Sequence, residues 1–462
     1  MALIDRADSR PVHFMGIAGA GMSALAELCA RRGAAVTGCD SGGAAPDLAR
    51  LGVTVHHGHD PAHLEGHRAL VVSSAVPRGH AEVKRAHDLG IPVVRRAEAL
   101  AEATAGCDRL VAIAGTHGKS TTTAMATYAL KAAGVDATGV VGARIREWNG
   151  NLSPGADRVF VVEADEYDRS FLALDPQVAV VTSIEADHLD IYRDLDDIRA
   201  AFARFSSRAR WLVACADDRW ANLLPSPPTA EVLRYGIDGN DARLVARDVR
   251  ATGDGGMDFT VVYDGKPAGS VKLRVPGRHN VLNALAAIAV GVGAWGARVE
   301  DLARGLAQFP GVERRFERVG DAAGVTVVDD YAHHPTEIRA TLAAAGSAFP
   351  GRRIVAAFQP HLFTRTRDLA AEFAEALGGA SAVWLADVYP AREQPLPGVT
   401  SELIASPMVA AGRGPSWKGS VNDLAAALAP KLLAGDVVIT MGAGDITRVG
   451  PQLLKALGGK SG

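Results

Sequence analysis

Cysteine is scarce in this 462-residue sequence: Cys29, Cys39, Cys107 and Cys215 are the only four, and no two stand in CxxC spacing. That scatter argues against a disulfide framework and against a zinc knuckle, and predicts reduced thiols in a cytoplasmic protein. Aromatic residues make up only 5%, and neither sign of charge prevails, with 49 Lys and Arg against 52 Asp and Glu. Without concentrated basic charge there is no electrostatic case for nucleic acid or an anionic membrane as a partner. The opening MALIDRADSRPVHF lacks a basic segment followed by an apolar core, so no signal peptide is expected. The most apolar long stretch, VLNALAAIAVGVGAWGA from Val281, is broken by Asn283 and by glycines, and predicts a buried helix rather than a membrane span. No internal repeat and no low-complexity tract is present.

What is present is a globular composition, 48% apolar and 22% charged, on a chain long enough for two to four domains. Short β-branched runs alternate with alanine-rich helical stretches, the pattern of parallel sheets with crossover helices, so the fold class is α/β. PVHFMGI, AAVTGCD and ALVVSSA read as strands around the helix MSALAELCARRG, a small doubly wound unit. RLVAIAGT restarts the pattern, with a helix from about 119 to 133 and strands VFVVEAD and VAVVTSI. The polar interval from about 238 to 274 reads as antiparallel. A third start is GVTVVDDYAHHPTEI, followed by RRIVAAF, SAVWLADVY and DVVITMGAGDI. Three consecutive α/β domains are expected, at 1–105, 106–315 and 316–462.

Several loops carry the chemistry. GIAGAG joins the first strand to the first helix, where a dinucleotide fold places GxGxxG; Gly16, Gly19 and Gly21 fit, and Ala18 stands where the middle glycine belongs. Asp40 ends the second strand as a ribose-binding acid would, or simply closes a turn. AIAGTHGKSTTTA is a stronger signal. Between a strand and a helix, the backbone N–H groups of Gly115, Thr116, His117, Gly118 and Thr121 and the helix N-terminus form an anion site. Lys119 adds a charge for β- and γ-phosphates and the Ser120 hydroxyl a ligand for magnesium. Ile113 replaces the first glycine of GxxxxGK[ST], which implies a shorter loop.

Glu163 closes VFVVEADEYD, where phosphate-loop enzymes hold magnesium. VAVVTSIEADHLD repeats the arrangement one strand later with Asp187, His188 and Asp190, and the two strand ends, taken as neighbours, predict two magnesium ions rather than zinc. RHNVLNALAA offers His279, Asn280 and Asn283 at a helix start, as caps or as nucleotide contacts. DDYAHHPTEI and FQPHLFTRTRD gather polar groups at strand ends in the third unit, where Arg365 and Arg367 bind a carboxylate or merely start a helix in solvent.

Together with VVSSAVP, GVERRFE and DVYPAREQPLPGV, these segments recur in the order of the Mur ligases, and the sequence resembles that family over nearly its whole length. The family's phosphate loop has the form GTxGK[ST], which accounts for Ile113. The resemblance is to members that join L-alanine to the carboxylate of UDP-N-acetylmuramate in peptidoglycan synthesis, with ATP and Mg2+ as cofactors. It implies a Rossmann-like UDP-sugar domain, a phosphate-loop ATPase domain and a Rossmann-like amino-acid domain, in a cytoplasmic monomer or weak homodimer. Lys119 would then grip the ATP phosphates, Ser120 and Glu163 hold one magnesium, and His188 join Glu163 at the other. His279, Asn280 and Asn283 match the adenine-side motif, and Arg315 and Asp330 the arginine and aspartate near the hinge and ATP. Gly16, Ala18, Gly19, Gly21, Asp40, Ser73 and Ser74 fall on the UDP-sugar side. Tyr331, His333 and Arg365 fall where the amino acid is expected, with His333 a candidate to orient or deprotonate its ammonium. Ala18, Ser120 and Leu362 depart from residues common in the family, and Leu362 throws the carboxylate onto Arg365.

The implied chemistry is activation of a carboxylate as an acyl phosphate, followed by attack of the uncharged amine. A dehydrogenase using the first domain is disfavoured by Ala18 and by the separate phosphate loop. A nucleotide-operated switch leaves the third unit unexplained. A recycling ligase that attaches a whole tripeptide is the nearest alternative, and DDYAHHPTEI and AREQPLPGV favour the alanine enzyme over it.

Overall fold

The computed structural model describes residues 3–5, 7–42, 45–226, 230–391 and 393–458. Its chain divides into two compact units, one comprising Met1–Val249, Phe259–Lys272 and Asn280–Pro310, the other Arg250–Asp258, Leu273–His279 and Gly311–Gly462. The first unit contains two sheets.

The first sheet is built from β1 (Val12–Met15), α1 (Ala20–Arg31), β2 (Val36–Asp40), α2 (Pro46–Ala49), β3 (Thr54–His57), β4 (Ala69–Val72), α3 (Ala81–Asp88), β5 (Val93–Arg95) and α4 (Arg96–Thr104). Its strands run parallel in the order β3-β2-β1-β4-β5. The chain reverses direction across the sheet between β1 and β4, and in open α/β sheets ligands bind in the crevice at that point. Gly16 follows β1 and Ser73 follows β4.

The second sheet has ten strands in the order β15-β14-β13-β12-β11-β10-β6-β9-β7-β8. Its centre is β6 (Arg109–Ala114), flanked by β9 (Val159–Glu163) and β10 (Val178–Val181). All three are apolar and β-branched because helices cover both faces of a parallel sheet. Helix α5 (Lys119–Ala132) follows β6; β7 (Thr138–Ile145) and β8 (Gly150–Ser153) form an antiparallel edge pair that the sequence did not announce. Beyond β10 come α6 (Leu195–Ser206), β11 (Trp211–Cys215), α7 (Arg219–Asn222) and β12 (Glu231–Gly236), then β13 (Leu244–Ala251), β14 (Met257–Tyr263) and β15 (Lys266–Leu273). Asp264 and Gly265, both at positive φ, make the two-residue turn between β14 and β15, and such a loop joins only antiparallel strands, as expected for this interval. Helix α8 (Arg278–Trp295) is buried over most of its length, as its apolar sequence implies, and α9 (Val299–Gln308) packs on α5.

The second unit carries β16 (Glu317–Ala322), β17 (Val325–Asp330), α10 (Pro335–Ala348), β18 (Ile354–Phe358), α11 (Phe363–Asp368), α12 (Ala370–Leu377), β19 (Ala382–Ala386), α13 (Glu402–Ala410), β20 (Trp417–Gly419), α14 (Val421–Leu428), β21 (Val437–Met441) and α15 (Val449–Ala456). Strand order is β16-β17-β21-β18-β19-β20, parallel except for the β16 edge. Val328, Phe358 and Ile439 point into one apolar layer, and Val327, Val355 and Val438 into the other. Strands β17, β18, β19 and β21 thus bury both of their faces. Among the described residues no helix is long and apolar enough to cross a membrane.

Candidate active site

In the first unit the phosphate loop begins where β6 ends. Ile113 is a fully buried strand residue paired with Glu163 on one side and Val180 on the other, so the loop starts only at Gly115. Gly115 has φ +142° and a Cβ there would run into Thr182 Oγ1; Gly118, at φ +81°, caps α5 with Asn283 Oδ1 2.5 Å from where its Cβ would lie. Neither position accepts a side chain. Thr116 N and His117 N donate to Ser183 O (2.9 Å) and Ser183 Oγ (3.1 Å), while Thr116 Oγ1 accepts from Glu185 N (2.9 Å). The strand end after β10 therefore buttresses the loop. Ser120 and Thr121 are buried in the first turn of α5.

Lys119 Nζ donates to Gly115 O (2.7 Å), Thr116 O (3.3 Å) and Glu166 Oε1 (2.9 Å). Burial alone would lower the pKa of this ammonium, but the carboxylates of Glu166, Asp165 and Glu163 outweigh it and hold it at about 12. Burial pushes the Glu166 carboxyl up to about 7 against the opposing Lys119 charge. Tyr192 Oη donates to Glu166 O (2.7 Å), and His188 Nε2 lies 3.7 Å from Glu166 Oε1 and 3.8 Å from Asp187 Oδ2. Tyr167 meets the His188 ring edge-on at 5.1 Å and donates to Asp190 Oδ2 at 3.3 Å.

Glu163 accepts from Gly142 N (2.7 Å) and faces a cavity of about 280 Å3 that Gly16, Gly19, Gly21, Ser73 and Arg96 also line. The crevice at the switch point of the first sheet is thus continuous with the strand end that carries Glu163. Arg96 reaches Asp165 Oδ2 (3.3 Å) on the same wall. Ala18 lines a smaller neighbouring cavity, and its N–H donates to Asp40 Oδ2 (3.1 Å), whose other oxygen accepts from Gly42 N (2.8 Å). Ser74 is exposed in the turn after β4.

Two sequence readings need correction here. The strand ends bearing Glu163 and His188 are not neighbours, because β6 lies between β9 and β10, so the two residues flank the phosphate loop from opposite sides. The backbone N–H groups of Thr116 and His117, read as part of the anion site, instead donate to Ser183. Asn283 Oδ1 accepts from Thr122 Oγ1 (3.1 Å) and its Nδ2 donates to Asn280 Oδ1 (3.1 Å), within the first unit. His279 belongs to the second unit, where burial first and the Arg315 charge next push its imidazole down to about 4.

In the second unit Asp330 ends β17 and is almost wholly buried. It accepts from Phe316 N (2.9 Å) and Ala332 N (2.8 Å), and burial raises its carboxyl to about 6 in spite of the Arg315 charge. Arg315 lies over the Tyr331 ring at 5.2 Å and donates to Glu337 Oε1 at 3.4 Å. Glu337 also accepts from His333 N (3.0 Å), and His333 Nδ1 is 2.9 Å from Tyr331 O. Arg365 is buried in α11 with Nη1 3.4 Å from His361 Nδ1, and the His333 and His361 rings lie 5.9 Å apart. Tyr331, His333 and Arg365 are therefore gathered around His361 and Glu337. Arg367, the other arginine of that segment, is exposed and paired with Asp368 at 2.6 Å. Leu362 is buried at φ +71° ahead of α11, and Arg392 of the AREQPLPGV segment lies outside the described residues.

Glu166, Arg96, Glu337 and His361 escaped the sequence reading. Glu166, Glu337 and His361 stood inside quoted segments, EADEYD, DDYAHHPTEI and FQPHLF, but nothing in a linear pattern says which of several polar groups turns inward.

A phosphate loop at the centre of a parallel sheet, with a buried lysine and strand-end acids beside it, defines a nucleotide-binding α/β protein of the phosphoryl-transfer class. Comparison with known proteins narrows this. Residues 11–107 match the Mur ligase family catalytic domain, 113–291 the Mur ligase middle domain and 314–444 the Mur ligase glutamate ligase domain. The chain belongs to the Mur ligase family. It is 45% identical to UDP-N-acetylmuramate–L-alanine ligase of Cutibacterium acnes over 99% of this chain and 98% of that one. The ligase of the same name from Acidothermus cellulolyticus is 45% identical over 96% of this chain and 94% of its own. The crystal structure of the UDP-N-acetylmuramate-alanine ligase of Thermotoga maritima superposes with a TM-score of 0.80 at 28% identity, covering 96% of this chain and 98% of that one. A murein peptide ligase of Psychrobacter arcticus gives 0.72 at 27% identity, covering 98% and 100%.

Proposed function

We infer that the protein is an ATP-dependent ligase that joins L-alanine to the carboxylate of UDP-N-acetylmuramate, giving ADP and phosphate, in peptidoglycan synthesis. What carries this reading is 45% identity across 99% of the chain to a relative with that activity in its name. The cavity that runs from the Gly16 turn to Glu163 supports it physically. A UDP-sugar held at the first sheet has a continuous path for its carboxylate to the phosphate loop. We assign residues 1–105 to the UDP-sugar, 106–315 to ATP and 316–462 to the amino acid.

A carboxylate is a poor acyl donor because its leaving group would be oxide. The carboxylate oxygen attacks the γ-phosphorus of ATP, ADP departs, and the acyl phosphate now has phosphate as its leaving group. Gly115, Gly118 and Thr121 offer backbone N–H groups to the phosphates, Thr116 and His117 hold the loop through their N–H bonds to Ser183, and Lys119 neutralises charge on the group in transfer. The hydroxyl of Ser120 and the carboxylate of Glu163 would hold one Mg2+, and His188, reaching from the other side of the phosphate loop, would join Glu163 at a second; the buried Glu166, 3.7 Å from His188, adds a hard oxygen donor suited to that ion. Bound there, Mg2+ supplies charge stabilisation at the phosphoryl oxygens. Asn280 and Asn283 serve the adenine with His279, and Arg315 and Asp330 are assigned to ATP. The amine of L-alanine, uncharged, attacks the acyl carbon and phosphate leaves. Tyr331 and Arg365 bind the amino acid, with His333 orienting its nitrogen or taking its proton. The reaction runs in the cytoplasm, on a monomer or weak homodimer.

The test is a competition among amines with UDP-N-acetylmuramate as acceptor. Glycine lacks one methyl, worth about 1 kcal/mol of apolar contact, so kcat/KM is expected to fall roughly tenfold against L-alanine. A tripeptide, or D-glutamate with its second carboxylate, is expected to be rejected far more strongly. Equal use of the tripeptide would make the protein a recycling ligase instead. Oxygen label in the muramyl carboxylate is expected to appear in the released phosphate.

A further inference from the structure

The first sheet holds a cluster of histidines, a cysteine and a glutamate that the ligase chemistry does not use. His13 lies on β1 and Cys39 on β2; His63 lies in the turn Pro61–Leu64 and Glu82 in the first turn of α3. His13, Cys39 and Glu82 are fully buried, and His63 is largely so. One donor atom from each of the four lies within 4.8 Å of every other. We propose that His13 Nε2, Cys39 Sγ, His63 Nδ1 and the Glu82 carboxylate form a structural zinc site in the first domain.

The hydrogen-bond network fixes the lone pair that such a site requires. His67 Nδ1 lies 3.1 Å from Glu65 O, a carbonyl, so this nitrogen bears the proton and Nε2 is an acceptor. Thr37 Oγ1, 2.7 Å from His67 Nε2, must then donate to it and accept from His13 Nδ1 at 2.8 Å. His13 Nε2 is left with its lone pair, buried and, among the described residues, without a hydrogen-bond partner, aimed into the cluster. A ligating histidine characteristically donates its second nitrogen in this way, which orients the ring and raises its basicity. His63 Nδ1 also lacks a hydrogen-bond partner among the described residues and stands 3.6 Å from Glu82 Oε1.

The spacing suits a tetrahedral ion. Bonds of about 2.0–2.3 Å to nitrogen, oxygen and sulfur put ligand atoms about 3.3–3.7 Å apart. Cys39 Sγ lies 3.3 and 3.5 Å from the two Glu82 oxygens, close to that spacing already. A thiolate with two imidazoles selects zinc over magnesium or calcium. The Glu82 carboxylate is fully buried and accepts from Asp60 N (3.0 Å) and the Cys39 thiol, and a cation joining it there offsets the cost of its burial. Binding expels the Cys39 proton to solvent, so that thiolate and carboxylate together neutralise the dication. His59 Nδ1, 3.1 Å from Cys39 Sγ and more exposed, stands at the solvent side as the way in. The ion would tie β1, β2 and α3 together directly below the Gly16 turn, since Cys39 O accepts from Gly16 N (2.8 Å) and Ile17 N (3.1 Å).

The test uses the full chain, stripped with a chelator under reducing conditions and titrated with Co2+ alone. One Co2+ per chain is expected, with a thiolate-to-cobalt charge-transfer band and tetrahedral visible bands, displaced one-for-one by Zn2+. Cys39→Ser is expected to abolish the band, Cys215→Ser to leave it unchanged, and His63→Gln to weaken cobalt binding at least about a hundredfold. Circular dichroism shows whether each variant is folded, and the metal count on the unaltered chain stands regardless of the variants. Absence of a thiolate band at one equivalent, or its persistence in folded Cys39→Ser, overturns the proposal.

Discussion

Lys119 Nζ and Glu166 form a salt bridge at 2.9 Å with both side chains almost wholly out of solvent, so the residue that opens α5 is charge-matched from the segment after β9. Removing one member of such a pair strands a buried charge, at a cost of about 3–5 kcal/mol. Glu166→Gln is therefore expected to lower stability markedly, and the double variant Lys119→Met/Glu166→Gln to be more stable than Glu166→Gln alone. Urea unfolding of the four proteins in the cycle measures the coupling. Strict additivity would mean the pair carries no interaction energy.

For catalysis the same lysine has a different consequence. Lys119→Ala is expected to cut turnover by at least about a hundredfold, because it withdraws a charge from the phosphoryl group in transfer. The check is phosphate release by a variant whose circular dichroism matches the parent. A folded variant with near-normal turnover would remove the phosphate-loop argument.

Gly118→Ala places a Cβ 2.5 Å from Asn283 Oδ1 at a φ of +81°. The left-handed backbone alone costs about 1–2 kcal/mol for an L residue, and the clash displaces the side chain that Thr122 donates to. The expected outcome is a KM for ATP raised about tenfold, with UDP-sugar binding unchanged; isothermal titration with each ligand separates the two.

Asp330 gives a pH signature. Its carboxyl is raised from 3.8 to about 6 in the folded protein, so between those values the folded state binds the proton that the unfolded chain has lost. Stability from this group is present below the unfolded value and drains away as pH rises to about 6. His279, pushed down from 6.5 to about 4, works in the opposite sense: its contribution is full above the unfolded value and is lost as pH falls through that window. The two overlap, so the parent protein conceals both. The stability difference between Asp330→Asn and the parent isolates the carboxyl, and is expected to shift in favour of the variant by about 2 kcal/mol between pH 4 and 7. A difference that does not vary with pH would refute the raised carboxyl.

Much of this architecture was legible in the sequence because parallel strands buried on both faces must be apolar throughout. VHFM, RLVAIA, VFVVE and IVAAF are such runs, and each is a strand. The phosphate loop was legible for a similar reason: only glycine serves at 115 and 118, and the lysine and hydroxyls follow them directly. Other features were not. The edge pair β7–β8 is short and mixed in polarity, so no periodicity announces it. Arg365 and Arg367 looked equivalent, two residues apart. One is buried beside His361 and the other is paired with Asp368 in solvent, because residues two apart on a helix point in different directions.

Local sequence determined which segments are strands, where the glycine turns fall, and which residue types are available for phosphoryl transfer, since these depend on backbone sterics and on side-chain chemistry a few residues apart. Tertiary structure alone decided partnership. Strand order put β6 between the ends that carry Glu163 and His188, brought Glu166 to Lys119 across 47 positions, and collected His13, Cys39, His63 and Glu82 from four separated segments. The physical reason is that the strength of a Coulomb contact or a metal–ligand bond depends on distance through space, which chain separation does not fix until the sheets have formed.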